Sequence, residues 1–138
     1  MFVVDASLAL AWCFEDEASA PADASLERLA QDGALAPAIW PLEVANALRS
    51  AERRGRVDER EVLGLTRLLA ALPVEVEETP LNRALAEILP LARALALSAY
   101  DASYVELALR RGLPLATADD QLARAALAAG AELLEPIG

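Results

Sequence analysis

The stretch Phe2-Val3-Val4-Asp5-Ala6-Ser7 decides the fold that the sequence predicts. Phe2, Val3 and Val4 are apolar and β-favouring, which is typical of a strand buried on both faces in a parallel sheet covered by helices. The strand ends at a carboxylate, Asp5, and a helix is predicted to begin directly after it. Because ligands of open α/β sheets bind beyond the carboxyl ends of the strands, Asp5 is the first candidate site residue.

Short predicted strands alternate with helices along the rest of the chain. Further strands are predicted at residues 34–36, 74–77, 113–116 and 131–134, and the run 74–77 alternates, which predicts one wetter face. Helices are predicted at residues 6–14, 21–31, 41–54, 57–72, 81–97, 98–111 and 117–129. This order indicates an α/β fold with a mostly parallel central sheet of about five short strands, flanked by helices. At 138 residues, the chain 1–138 is predicted to be a single domain.

The composition excludes several kinds of catalytic site. The chain has no histidine, which removes His-based acid–base chemistry and Ser–His or Cys–His pairs. All 12 basic residues are arginine, so neither a Schiff base nor a P-loop lysine is available. Cys13 is alone and cannot form an intrachain disulfide. Carboxylates and hydroxyls remain, and these ligands suit hard cations such as Mg²⁺ or Mn²⁺.

Charge and hydropathy limit where the protein can reside and which partners it can bind. No charge-free stretch is long enough to span a bilayer and no basic segment precedes the first strand, so we expect a cytoplasmic protein without a signal peptide. The net charge of −10 has the wrong sign for binding nucleic acid by bulk electrostatics. Arginines nevertheless concentrate at positions 49, 53, 54, 56 and 60. This patch could face a phosphate backbone or an acidic partner, although a solvated helix end is the default interpretation.

Four acidic positions each have a structural explanation. Asp5 could cap the first helix, and Glu43 lies in a first helical turn, where a negative charge favours the helix dipole. Asp101 stands three residues after Ser98, a capping-box spacing. Thr117 and Asp120 have the same spacing, and if that box forms, Asp119 is left free to point into a cleft.

The same acids also fit a metal site. Asp5 and the segment 117–120 both follow predicted strands, so both should face the same edge of the sheet. Glu43, Asn46 and Ser50 form one polar stripe on their helix. Converging carboxylates repel each other unless they are protonated or bridged by metal. One or two divalent ions could activate water and hydrolyse a phosphodiester, a mechanism that needs neither histidine nor lysine.

The sequence resembles the PIN-domain ribonucleases in four segments that occur in the family's order. These are Val3–Ser7, Pro41–Asn46, Tyr100–Ala102 and Leu115–Asp119. The length, residues 12–14 and the predicted closing strand are similar to the VapC-type toxins of bacterial and archaeal toxin–antitoxin pairs. The resemblance covers essentially the whole chain.

The resemblance implies a Mg²⁺- or Mn²⁺-dependent endoribonuclease with a PIN-like αβα sandwich. Asp5, Glu43, Asp101 and Asp119 match the family's acidic quartet, with Asp5 and Asp101 placed closest to the metal. The matching support positions are Ser7, Asn46 and Thr117. The resemblance also implies a homodimer, and neutralisation by a VapB-like antitoxin in a heterotetramer or larger assembly. RNA affinity must then come from the metal and from local arginines, for which the first candidates are Arg49, Arg53 and Arg54.

Two other functions remain open at this point. A PIN nuclease could serve RNA processing or repair, although the short chain carries no appended RNA-binding module. A non-catalytic PIN-like interaction module would be favoured by a missing acid, and all four positions are acidic. A receiver-like phosphoacceptor domain is disfavoured because it requires a lysine.

Overall fold

A computed structural model describes residues 1–14 and 20–134 of the chain. Four strands form one parallel sheet in the order β3-β2-β1-β4. They are β1 (Phe2–Val4), β2 (Ala34–Pro37), β3 (Val74–Glu77) and β4 (Leu115–Ala116). The three side chains of β1 are fully buried because this strand pairs on both sides and is covered by helices. The predicted α/β fold with a parallel sheet is confirmed.

The helices follow the predicted order. They are α1 (Ala6–Cys13), α2 (Ala20–Asp32), α3 (Trp40–Arg53), α4 (Glu59–Ala70), α5 (Leu81–Arg83), α6 (Leu89–Leu95), α7 (Ala99–Arg111) and α8 (Asp120–Ala128). A π-helical turn, Ala84–Ile88, joins α5 to α6 just before Pro90, whose missing N–H prevents a regular ladder there. No helix in the described ranges is long and apolar enough to cross a membrane.

The predicted fifth strand is reduced to a single bridge. Residues 131–134 meet β4 only at the parallel pair Leu115–Leu133. The Leu115 N–H donates to the Glu132 carbonyl at 2.8 Å, and the Leu134 N–H donates to the Leu115 carbonyl at 2.9 Å. Since β4 is only two residues long, it offers few backbone groups to a further strand.

Strand β3 forms as predicted, but its alternation does not separate a dry face from a wet one. Val76 is 41% exposed, whereas Glu77 is only half-buried and binds arginines. β3 is the edge strand of the sheet, and its apolar side chains lack a complete cover there. The prediction of one wetter face is therefore wrong for the last two residues of this strand.

Helix α7 connects the core to the acidic end of the sheet. It packs against β1, β2 and β4, and the run from Ala102 to Ala108 is buried. Ser98 caps its N-terminus and Gly112, at φ 63°, ends it in the left-handed conformation. The burial of the middle of α7 fixes its first turn, which carries Asp101, beside the ends of the strands.

Candidate active site

Asp5 is the buried centre of the candidate site. It follows β1 directly, caps α1 with an extended backbone, and is 5% exposed. Its Oδ1 accepts hydrogen bonds from the Ser7 hydroxyl at 2.6 Å and from the Leu8 N–H at 3.4 Å. Its Oδ2 accepts one from the Thr117 hydroxyl at 2.6 Å. Asp5 is therefore both a helix cap and a carboxylate fixed by two hydroxyls, so its capping role does not exclude a place in a site.

The hydroxyls of Ser7 and Thr117 join the turns that follow β1 and β4. The Ala118 N–H donates to the Ser7 hydroxyl at 2.9 Å, and the Asp119 N–H donates to the Thr117 hydroxyl at 3.0 Å. The two hydroxyl oxygens are 3.5 Å apart. The predicted support positions Ser7 and Thr117 therefore lie where they orient Asp5 and hold the neighbouring acidic segment against it.

Asp119, rather than Thr117, caps α8. The Asp119 Oδ1 accepts from the Gln121 N–H at 2.9 Å and from the Leu122 N–H at 3.2 Å. The predicted Thr117–Asp120 capping box is wrong, because the Thr117 hydroxyl is committed to Asp5. The expectation that Asp119 is free of capping is therefore also wrong. One of its carboxylate oxygens caps α8, and the other remains for the site.

Asp101 lies in the first turn of α7, with half of its predicted capping box formed. Its N–H donates to the Ser98 hydroxyl at 3.1 Å, but no hydrogen bond returns from the Asp101 carboxylate to Ser98. The carboxylate is therefore available to the site. Burial raises the pKa of Asp101, and the negative charge of Asp119 raises it further.

Glu43 is held by a residue that the sequence analysis missed. It occupies the first turn of α3, is half-buried, and accepts a hydrogen bond from the hydroxyl of Tyr104 on α7. Tyr104 stands three residues after Asp101, so the two share one face of α7. This three-residue spacing from Asp101 was the signal in the sequence by which Tyr104 could have been found. The contact across 61 residues that gives the tyrosine its role has no local signature.

The four acids form one electrostatic group, named here the acid cluster: Asp5, Glu43, Asp101 and Asp119. Burial raises the pKa of Asp5 to about 6, against the hydrogen bonds from Ser7 and Thr117, and the charge of Asp119 adds to the rise. The pKa of Glu43 is raised by burial and by the charge of Asp101, although the Tyr104 hydrogen bond opposes this. No arginine forms an ion pair with any of these acids in the described part of the chain.

A cleft of about 370 Å³ extends from the acid cluster along α3. Ser7, Glu43 and Asn46 line its acidic end, and Ser50, Arg54 and Arg56 line the other. The predicted polar stripe thus faces a cleft. Of the three predicted RNA-contacting arginines, Arg54 reaches this cleft, while Arg49 and Arg53 are exposed elsewhere on α3. Arg56, which also lines the cleft, was not one of the three predicted arginines.

The acid cluster fits a hard divalent cation by donor chemistry. Four carboxylates and the hydroxyls of Ser7 and Thr117 make an all-oxygen donor set, which Mg²⁺ and Mn²⁺ prefer. As the side chains stand, no three acidic or sulfur ligands within residues 1–14 and 20–134 converge closely enough to hold one ion. The negative charge of Asp119, which adds to burial in raising the pKa values of Asp5 and Asp101, disfavours closer approach of the ionised groups.

Comparisons with known proteins agree with this fold. The family model of the PIN domain matches residues 2–127. The crystal structure of PAE2754 from Pyrobaculum aerophilum is similar with a TM-score of 0.68 and 30% sequence identity, and the match covers 90% of this chain and 84% of that one. No curated protein matches the sequence. The family model spans nearly all of the described residues and includes all four acids, so this chain belongs to the PIN domain family.

Proposed function

We propose that this chain is a metal-dependent endoribonuclease toxin that a cognate VapB-like antitoxin neutralises. PIN domains are generally nucleases and usually use Mg²⁺ or Mn²⁺, so the family supports phosphodiester hydrolysis. The observation that carries the proposal is the acid cluster itself. Its four carboxylates come from four separate elements and pair with no arginine in the described ranges. Burial, together with the charges of Asp119 and Asp101, raises the pKa values of Asp5, Glu43 and Asp101. Such a group gains most from a cation supplied from solution.

Each residue of the cluster has a proposed role in holding that cation. Asp5 and Asp101 would be the closest ligands, with Glu43 and Asp119 completing the donor set. The Ser7 and Thr117 hydroxyls lock the Asp5 carboxylate, and the Tyr104 hydroxyl orients Glu43. When bound, the ion would supply an activated water at neutral pH and stabilise the charge that develops on the phosphate. Nothing in this scheme uses histidine or lysine, which the chain lacks.

Exposed apolar side chains support the proposal that the protein forms a homodimer. Leu81 and Leu85 are 73% and 56% exposed on the helical run from Leu81 to Leu95, and Tyr100 is 62% exposed nearby on α7. Ile88 and Tyr100 together line an apolar pocket of about 310 Å³. A surface of this kind favours a protein partner. The mass measured by light scattering tests self-association directly.

The first test is growth of a bacterial host on induction of the chain. Wild type is compared with Asp5→Asn and Asp101→Asn, and Asp120→Asn is the matched control because this neighbouring acid lies outside the cluster. We expect arrest by wild type and Asp120→Asn and normal growth with the other two at equal soluble expression. The living cell presents every RNA at once, so a narrow target does not hide the activity.

Two further readouts separate the parts of the proposal. Purified wild type should cleave total cellular RNA in Mg²⁺ or Mn²⁺ and stop when a chelator is added. Co-expression with a small neighbouring reading frame should restore growth if that frame encodes the antitoxin. Equal growth of all four strains, with folded protein present, would reject the toxin and favour a processing nuclease or a non-catalytic module.

A further inference from the structure

We draw no further inference here: the strongest candidate, the exposed apolar surface around the pocket that Ile39, Ile88 and Tyr100 line, carries nothing beyond the homodimer already proposed, because nothing in the structure shows what covers it.

Discussion

Two groups of carboxylates lie near the ends of two parallel strands, β1 and β3, and differ in what neutralises them. The acid cluster begins at Asp5, directly after β1, and has no arginine partner in the described ranges. The second group, named here the Glu77 network, begins at the last residue of β3. Glu77 contacts Arg83 at 3.3 Å, Arg111 at 3.0 Å and also Arg110, which in turn holds Glu106 at 2.7 Å.

The two groups also differ in the direction of their pKa shifts. Burial would raise the pKa of Glu77, but the hydrogen bond from Arg110 and the charges of Arg110, Arg83 and Arg111 together lower it. Burial raises the pKa of Asp5 to about 6 because hydrogen bonds from hydroxyls and an N–H do not offset it. A carboxylate that the protein supplies with cations is stabilised as a structural group. We propose that the carboxylates of the acid cluster, which lack such partners in the described ranges, bind a cation from solution instead.

The largest expected effect is on the pH dependence of stability at Asp5. Its folded pKa, about 6, lies above its unfolded value of 3.8, so the folded state binds the extra proton between these pH values. Stability from this group is therefore full below pH 3.8 and is lost as the pH rises through 6. The loss is about 3 kcal/mol in metal-free protein.

Urea unfolding of wild type and Asp5→Asn in chelator, at a series of pH values, measures this difference. The wild type should lose stability relative to Asp5→Asn from low to neutral pH. Adding Mg²⁺ at pH 8 should then stabilise the wild type and leave Asp5→Asn unchanged. If the free energies of unfolding of the two proteins change in parallel with pH, then burial does not raise the pKa of Asp5.

The next effect comes from giving the acid cluster a cation of its own. Asn46 is exposed and lies three residues after Glu43 on α3, so Asn46→Arg places a guanidinium within reach of that carboxylate. We expect metal affinity and RNA cleavage to fall about 10- to 100-fold, the usual effect of disturbing the surroundings of metal ligands. No carboxylate is removed. Asn46→Gln keeps an amide and should lose much less activity.

The Asn46→Arg variant tests whether the lack of arginine partners is the reason why the acid cluster, unlike the Glu77 network, would bind metal. Calorimetric titration with Mn²⁺ measures metal affinity separately from cleavage. If Asn46→Arg binds Mn²⁺ as tightly as Asn46→Gln, then the lack of arginine partners is not what prepares the cluster for metal.

The third effect is the loss of the Glu77 network. Glu77→Gln removes the charge that three arginines share, and we expect about 2 kcal/mol of destabilisation, the cost of losing charged hydrogen bonds at a partly buried site. Because the folded pKa is lowered, this stabilisation is present above the unfolded pKa of 4.5 and is lost as the pH falls through the folded value. Glu75→Gln, on the exposed part of the same strand, is the control.

Thermal unfolding at pH 7 and pH 3 gives this result directly. Glu77→Gln should differ from wild type at pH 7 and approach it at pH 3, while Glu75→Gln follows wild type throughout. RNA cleavage by Glu77→Gln should be retained at a temperature where it is folded. Loss of cleavage in folded Glu77→Gln would show that the two groups are coupled, against their separate roles.

The sequence predicted correctly those features of the fold that a local pattern of residues determines. The apolar run before Asp5, the Ser98 cap and the Gly112 stop are adjacent signals, and the elements that they mark form as expected. Motif order assigned the chain correctly to the PIN family, whose model matches residues 2–127, and the roles of the four acids stay predictions. The choice between Asp119 and Asp120 as part of a cap failed because both spacings are allowed, and only the bond from Thr117 to Asp5 decides between them.

What the sequence could not predict depends on distant contacts. Glu77 meets arginines that lie 6, 33 and 34 residues away, so a local alternation pattern assigned it to a wet face. Tyr104 holds Glu43 from another helix, and Arg56 lies over the ring of Phe14, 42 residues earlier in the chain. These side chains are positioned by tertiary packing, and no short segment of sequence carries that information.

The smallest expected effect concerns Tyr104, which gives the acid cluster its only phenolic hydrogen bond in the described ranges. Tyr104→Phe keeps the buried ring and removes the hydroxyl that lowers the pKa of Glu43. The pKa of Glu43 should therefore rise, and the acid limb of the pH–activity profile should move to higher pH. Stability should change by about 1 kcal/mol, the net value of one hydrogen bond.

Tyr100→Phe is the matched control, since it removes an exposed hydroxyl from the same helix and leaves Glu43 untouched. Initial rates of RNA cleavage from pH 5 to 9 in saturating Mn²⁺ measure the profile. A uniform loss of rate at every pH would mean that Tyr104 only positions α7 against α3. A displaced acid limb with the same plateau would show that the tyrosine keeps Glu43 ionised, the hydrogen-bond counterpart of what the arginines do for Glu77.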